Sequence, residues 1–214
     1  MKSLCSSALV AALVAALTLA GCDGGDAAQP TRSTASGCPT SEPAPLAAGE
    51  QREIVMNTSM GEITLLLEAD LSPIAVGNFV ALAECGFYDN VIFHRIAYMQ
   101  DGTPFVIQGG DPTGTGMGDP GYKIKDEAVV GEYRRGVLAM ARSAAPNSQG
   151  SQFFIVLDDG AAGPLESVRT YAILGEVTAG MDVVDAIAAV ERDQADRPVV
   201  PVTILSTTVS SPAP

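Results

Sequence analysis

The chain has one histidine, and it stands beside an arginine in Phe93-His94-Arg95, at the head of FHRIAYMQDGTPFVIQGGD (93–111). A lone histidine could serve as a general base, but only with a nucleophile and an orienting partner. No G-x-S-x-G turn is present: Gln149-Gly150-Ser151-Gln152 lacks the second glycine. With one His and no closely spaced pair among four Cys, the chain offers no zinc site. The glycine-dense run from Gly109 to Gly121 lacks the Lys-Ser/Thr pair of a phosphate loop, and the next lysine is Lys123 in Tyr-Lys-Ile-Lys. Its glycines suit a long loop with positive φ. Arg95 is an always-charged, donor-only planar fork, and aromatic and amide side chains share strand-like runs at Phe105 and Gln108 and again at Gln152 and Phe154.

Those runs set the geometry. Strand alternation sends Gln152 and Phe154 to one face and Phe153 and Ile155 to the other. That pattern suits either core aromatics with incidental amides or a groove on an outer wall, with an apolar pocket beside amide hydrogen-bonders. Strand candidates are 53–58, 62–68, 91–96, 105–108, 136–141, 152–157, 171–177 and 199–209. The first two, joined through Ser59-Met60-Gly61, read as a hairpin. Ser72-Pro73 marks a helix start, with Ser as N-cap and Pro in the first turn, and Gly86 marks its stop. The apolar residues Met181, Val184, Ile187 and Val190 predict a second helix over about 180–190. Eight strands and two helices without regular alternation exclude a parallel βαβ sheet. The expectation is a mainly β fold, a closed eight-stranded antiparallel barrel filled by its own side chains and capped by two α-helices.

The motifs FHR, FVIQGGD, GTG, GYKI, LAMAR and PNSQGSQFFI, in this order over residues 53–208, closely resemble the cyclophilin family of peptidyl-prolyl isomerases, and the glycine-rich loop resembles its bacterial branch. The resemblance implies the same barrel with two capping helices. It implies catalysis by Arg95, a proline pocket of Phe105, Val106 and Phe154, and substrate positioning by Gln108. Ala141, Arg142 and Gln152 match residues that contact the peptide backbone, and Tyr171 stands where the family's pocket histidine does. His94 is a structural or secondary binding neighbour of Arg95. The implied partners are proline-containing polypeptides, and the implied cofactor is none.

Three features depart from the family pattern. The link Ala97–Pro104 is longer than usual, the segment Gly160–Thr170 is also longer, and there is no Trp after the Gln-Phe-Phe strand. Loss of that indole donor predicts weak binding of cyclosporin. The long link also keeps a second reading open, a membrane-tethered module that binds proline peptides or chaperones clients with little turnover.

The N-terminus gives an address. Lys2 precedes an apolar run, Leu9–Leu19, too short to span a bilayer, and the run ends in Leu19-Ala20-Gly21-Cys22. This resembles the lipobox of bacterial lipoproteins, so residues 1–21 are expected to be a signal peptide and Cys22 the lipidated new N-terminus. Residues 22–50, rich in Gly, Ala, Ser, Thr and Pro, predict a flexible lipidated tether, followed by one domain over 51–211 and a short tail, 212–214. The expected location is outside the cytoplasm, anchored to the cell membrane by lipid and facing the periplasm or the exterior. A formal charge of −13, one unit more negative once residues 1–21 are removed, argues against nucleic acid as a partner. Cys38 and Cys85 could pair in an oxidising compartment or remain thiols, and spacing does not decide between these.

Overall fold

The computed structural model describes residues 37–211. The signal segment, Cys22, residues 23–36 and the tail 212–214 lie outside the described residues. Nine strands form one antiparallel sheet: β1 (Gln51–Thr58), β2 (Gly61–Glu68), β3 (Val91–Phe93), β4 (Arg95–Tyr98), β5 (Pro104–Gly109), β6 (Val137–Met140), β7 (Phe153–Val156), β8 (Ile173–Ala179) and β9 (Val202–Ser210). The spatial order is β3-β9-β1-β2-β8-β6-β7-β5-β4. Its two end strands, β3 and β4, are consecutive in the chain and meet at His94, so the sheet curls into a nearly closed barrel. Every predicted strand is present. The ninth arises because the predicted run 91–96 is cut at His94, where pairing switches from β9 to β5. The apolar pattern runs unbroken through the switch, because it records burial and not the identity of the partner strand.

Three α-helices accompany the barrel: α1 (Pro73–Glu84), α2 (Ala162–Val168) and α3 (Met181–Ala188). The helices α1 and α3 are the two predicted ones. The start of α1 has Pro73 in its first turn, but Ser72 does not cap it. Its hydroxyl donates instead to the Ile173 carbonyl at 2.6 Å. The free N–H groups of Ile74 and Ala75 donate to the Glu127 carboxylate at 3.0 and 2.9 Å, so the cap arrives from a residue 53 positions away. A carboxylate here also suits the positive end of the helix dipole.

The interior is filled by Ile54, Met56, Leu65, Phe79, Phe93, Phe153 and their neighbours, all fully buried. Phe153 stands edge-on to Phe79, Tyr88 and Phe93, with ring centroids 5.4–6.0 Å apart, an arrangement that aromatic quadrupoles favour.

The expected tether is too long at its domain end. Residues 38–50 are fixed along the barrel, not free. Cys38 and Cys85 are joined by a disulfide. The Leu46 N–H donates to the Pro73 carbonyl at 3.1 Å, and the Gly49 N–H donates to Asp70 at 2.8 Å. The strap lies so close to α1 that a Cβ on Gly77 would stand 2.6 Å from the Ala44 carbonyl oxygen. Barrel on one side and strap on the other explain why α1 is buried almost all round.

Candidate active site

Alternation on five adjacent strands produces a second apolar cluster on the outside of the barrel wall. Ala97 of β4, Val106 of β5, Val137 and Ala139 of β6, Phe154 and Val156 of β7 and Ile173 of β8 belong to it, while Ile96, Ile107, Leu138, Phe153 and Ile155 point inward. Phe105, Ala141 and Tyr171 are partly buried against this outer cluster. The Phe154 and Tyr171 rings meet edge-on, with centroids 5.3 Å apart. Tyr171 is held from beneath: its backbone N–H donates to the Tyr133 hydroxyl at 3.1 Å, and that hydroxyl donates to the Tyr171 carbonyl at 2.7 Å. Burial pushes the Tyr133 phenol up to about 12.

The polar half of the site adjoins this cluster. Arg95 pairs with Gln108 in the β4–β5 register, and Gln108 pairs with Phe154 across β5 and β7. Gln108 donates through its amide to Gln152 at 2.9 Å, and Gln152 donates to the carbonyls of Gly116 and Gly118 at 3.0 and 2.9 Å. Arg95 is exposed. Beyond the two amides lies a cavity of about 280 Å³, bounded by the Gly116–Asp119 loop, Ala141, Arg142 and Gln152 among others. The arrangement places a cation, two amides and an apolar floor on one continuous surface.

The glycine-rich loop is organised by Asp111, which is buried. Its carboxylate accepts from the Thr113 N–H at 2.6 Å, the Gly116 N–H at 2.5 Å and the Gly118 N–H at 3.0 Å, and from the Thr113 hydroxyl at 2.8 Å. Burial alone would raise its carboxyl, but these donors outweigh that and hold it below the usual carboxylate range. Gly116 has the expected positive φ, 85°. Gly118 does not, and is needed for space instead: a Cβ there would lie 2.0 Å from an Asp111 oxygen.

His94 is buried and does not open onto the groove. Its ring is 4% exposed and sits under the loop, where a Cβ on Gly116 would be 3.7 Å away. Burial lowers its pKa. Asp111 acts in the opposite direction, and Arg197 and Arg95 lower it further, so the net shift is downward. Its backbone N–H donates to the Gln108 carbonyl at 3.0 Å, fixing the strand on which Arg95 follows.

Arg142 lines the cavity as well. Its guanidinium turns away to Asp126 at 3.1 Å and to the Ala145 carbonyl at 2.8 Å, so its charge braces its own loop. Leu165 and Ala161, on α2 and the 3₁₀ turn before it (Asp159–Ala161), belong to the outer cluster and were not anticipated. The two long segments meet, since a Cβ on Gly160 would lie 3.2 Å from the Thr103 methyl and 3.6 Å from the Met99 methyl. The hairpin tip at 99–103 thus leans on the 3₁₀ turn.

The model of the cyclophilin type peptidyl-prolyl cis-trans isomerase family matches residues 53–209, nearly the whole barrel. The chain belongs to that family. An isomerase of Arabidopsis thaliana is 41% identical over 168 residues, covering 75% of this chain and 95% of its own. A probable isomerase A of Mycobacterium leprae is 39% identical over 173 residues, with 72% and 90% covered. A crystal structure of a Cryptosporidium parvum cyclophilin superposes with a TM-score of 0.67 at 32% identity, covering 76% of this chain and 99% of the other. A second structure of that protein, in the presence of the dipeptide Ala-Pro, gives 0.66 at the same identity. This cyclophilin is therefore a peptidyl-prolyl cis-trans isomerase, an enzyme whose reaction is rotation about a single amide bond.

Proposed function

We propose that Arg95 carries the catalysis, acting on proline-containing polypeptides that lie across the outer wall. The X-Pro amide rotates over a barrier of about 18–20 kcal/mol. At the twisted transition state the prolyl nitrogen loses its resonance with the carbonyl and becomes a hydrogen-bond acceptor. A charged donor aimed at that nitrogen binds the twisted state more tightly than either planar one. Phe105, Val106, Phe154 and Tyr171 take the proline ring, Gln108 and Gln152 align the chain, and Ala141 with the Arg142 backbone borders the preceding residues. The observation that carries this reading is the pairing of exposed Arg95 with Gln108 beside the outer apolar cluster. The test is an exchange NMR assay on a short Ala-Pro peptide, where Arg95→Ala is expected to lose most of the acceleration. Equal rates for both proteins would remove the assignment.

The setting is part of the same proposal: a bacterial-branch cyclophilin, exported, cleaved before Cys22 and held at a membrane by lipid on that cysteine. Its support is the Leu19-Ala20-Gly21-Cys22 sequence after a short apolar run. Cys22→Ser is expected to release the protein from membranes, and unchanged attachment would count against the anchor. The absence of Trp from the chain supports weak cyclosporin binding, to be measured by calorimetry.

A further inference from the structure

The loop between α3 and β9 approaches Arg95 from the side opposite Gln108. Arg95 is the only strongly exposed cation of β4, and its acidic partner among the described residues is Asp196: Nε lies 3.9 Å from Oδ2. Approach through Nε engages the inner edge of the guanidinium and leaves the outer nitrogens to face a substrate. Several bonds fix the carboxylate. The Asp196 carbonyl accepts from the Ile96 N–H at 2.7 Å, which joins the loop to the residue after Arg95. Arg192 donates to the other Asp196 oxygen, Oδ1, at 2.7 Å and to the Ile96 carbonyl at 3.2 Å. The Arg192 guanidinium also lies 4.2 Å above the centre of the Tyr98 ring. Asp193 closes the turn from below, its carboxylate accepting from the N–H groups of Ala195 and Arg197 at 2.8 and 3.0 Å.

The backbone at Asp196 adds a second observation. Its φ is 63°, in the left-handed region where glycine is the default residue. Aspartate is among the few side-chain-bearing residues tolerated there, and its carboxylate meets both Arg192, four residues before it, and Arg95. A carboxylate kept at such a position, between two arginines, is explained by what it does for them. An exposed ion pair at this distance adds little to stability, so its value lies in orientation.

We infer that Asp196 is a positioning residue for Arg95, selecting the orientation of the guanidinium in which its outer nitrogens face the prolyl nitrogen, with Arg192 and Asp193 holding the carboxylate in place. The inference rests on the reading of Arg95 as the catalytic group. A guanidinium free to sample several rotamers would spend only part of its time aligned, and the loss would appear in turnover and not in peptide affinity.

The decisive variant is Asp196→Gly, because glycine suits the left-handed backbone and removes only the carboxylate. In the full chain, assayed on an Ala-Pro peptide, kcat is expected to fall 3- to 10-fold with KM within twofold of wild type and an unchanged melting temperature. Asp196→Asn, which keeps shape without charge, should fall between the two. In an Arg95→Ala background Asp196→Gly should have no further effect, and the Arg95 side-chain Nε–H NMR signal should move in Asp196→Gly. An unchanged kcat in Asp196→Gly, or losses that multiply independently in the double variant, would overturn the inference while leaving Arg95 in its role. Equal kcat for wild type and Arg95→Ala would remove both the role of Arg95 and this inference.

Discussion

The two faces of one barrel wall make a comparison of unlike neighbours. Phe153 and Phe154 are adjacent on β7, and both are buried. Phe153 is enclosed by three other aromatic rings in a closed interior. Phe154 meets the ring of Tyr171, on an apolar surface that ends in Gln108 and the exposed Arg95. On the inner face the hydroxyl of Tyr88 is already committed to the Ser151 carbonyl at 3.1 Å. The outer face has an incomplete apolar cover with hydrogen-bonding groups along its border. A two-residue period thus gives a single strand one side that holds the fold together and another that meets a substrate.

Variants on the two faces should separate these roles. The largest effect is expected from Phe153→Ala, which removes a ring from the interior and should cost about 3–5 kcal/mol of stability, measured by urea unfolding. Phe154→Ala should depress kcat/KM more than it depresses the unfolding midpoint, and a reversed ranking would break the division. Removing the disulfide with Cys38→Ser and Cys85→Ser together should cost about 2–4 kcal/mol while kcat stays near wild type, because the strap lies across α1 and away from Arg95. Arg95→Ala should lower kcat/KM by roughly 10²-fold, about 2.7 kcal/mol of transition-state stabilisation, with little change in melting temperature.

The smallest effect concerns pH. Burial lowers the His94 pKa from its ordinary 6.5, so below 6.5 the unfolded chain binds a proton that the folded one refuses. Stability should therefore fall as pH drops from about 6.5 toward the folded-state pKa. His94→Phe should flatten that part of a melting-temperature profile. Asp111, lowered from an ordinary 3.8, acts in a separate, more acidic window and should still respond in the variant. A profile unchanged by His94→Phe would place the acid sensitivity elsewhere.

Part of this division could be read in the sequence, because strand geometry sends Gln152 and Phe154 to one face and Phe153 and Ile155 to the other, although Phe153–Val156 are all buried and burial alone does not tell the faces apart. The helices α1 and α3 carry apolar residues at helical spacing. The helix α2 does not: Ala162-Gly163-Pro164-Leu165 reads as a loop, and a short helix forms where Leu165 joins the outer cluster. Glu127 and Asp196 were equally hidden, since each acts on a residue at least 50 positions away and nothing in its local sequence marks the partner. The course of the Arg142 side chain was hidden as well: motif resemblance marks its place beside the groove, but not that Asp126 takes its charge.

The strap across α1 also sets how the molecule answers a mechanical pull. Tension arriving along the N-terminal segment reaches Cys38 and passes through the disulfide to Cys85, at the end of α1, before residues 39–50 are stretched. The force therefore enters at a helix seated on the barrel interior and bypasses β1, whose hydrogen bonds to β2 and β9 could otherwise open one by one from Gln51. Reduction of that one bond would move the point of loading from the helix to the strand, and convert a rupture of the whole core into an unzipping.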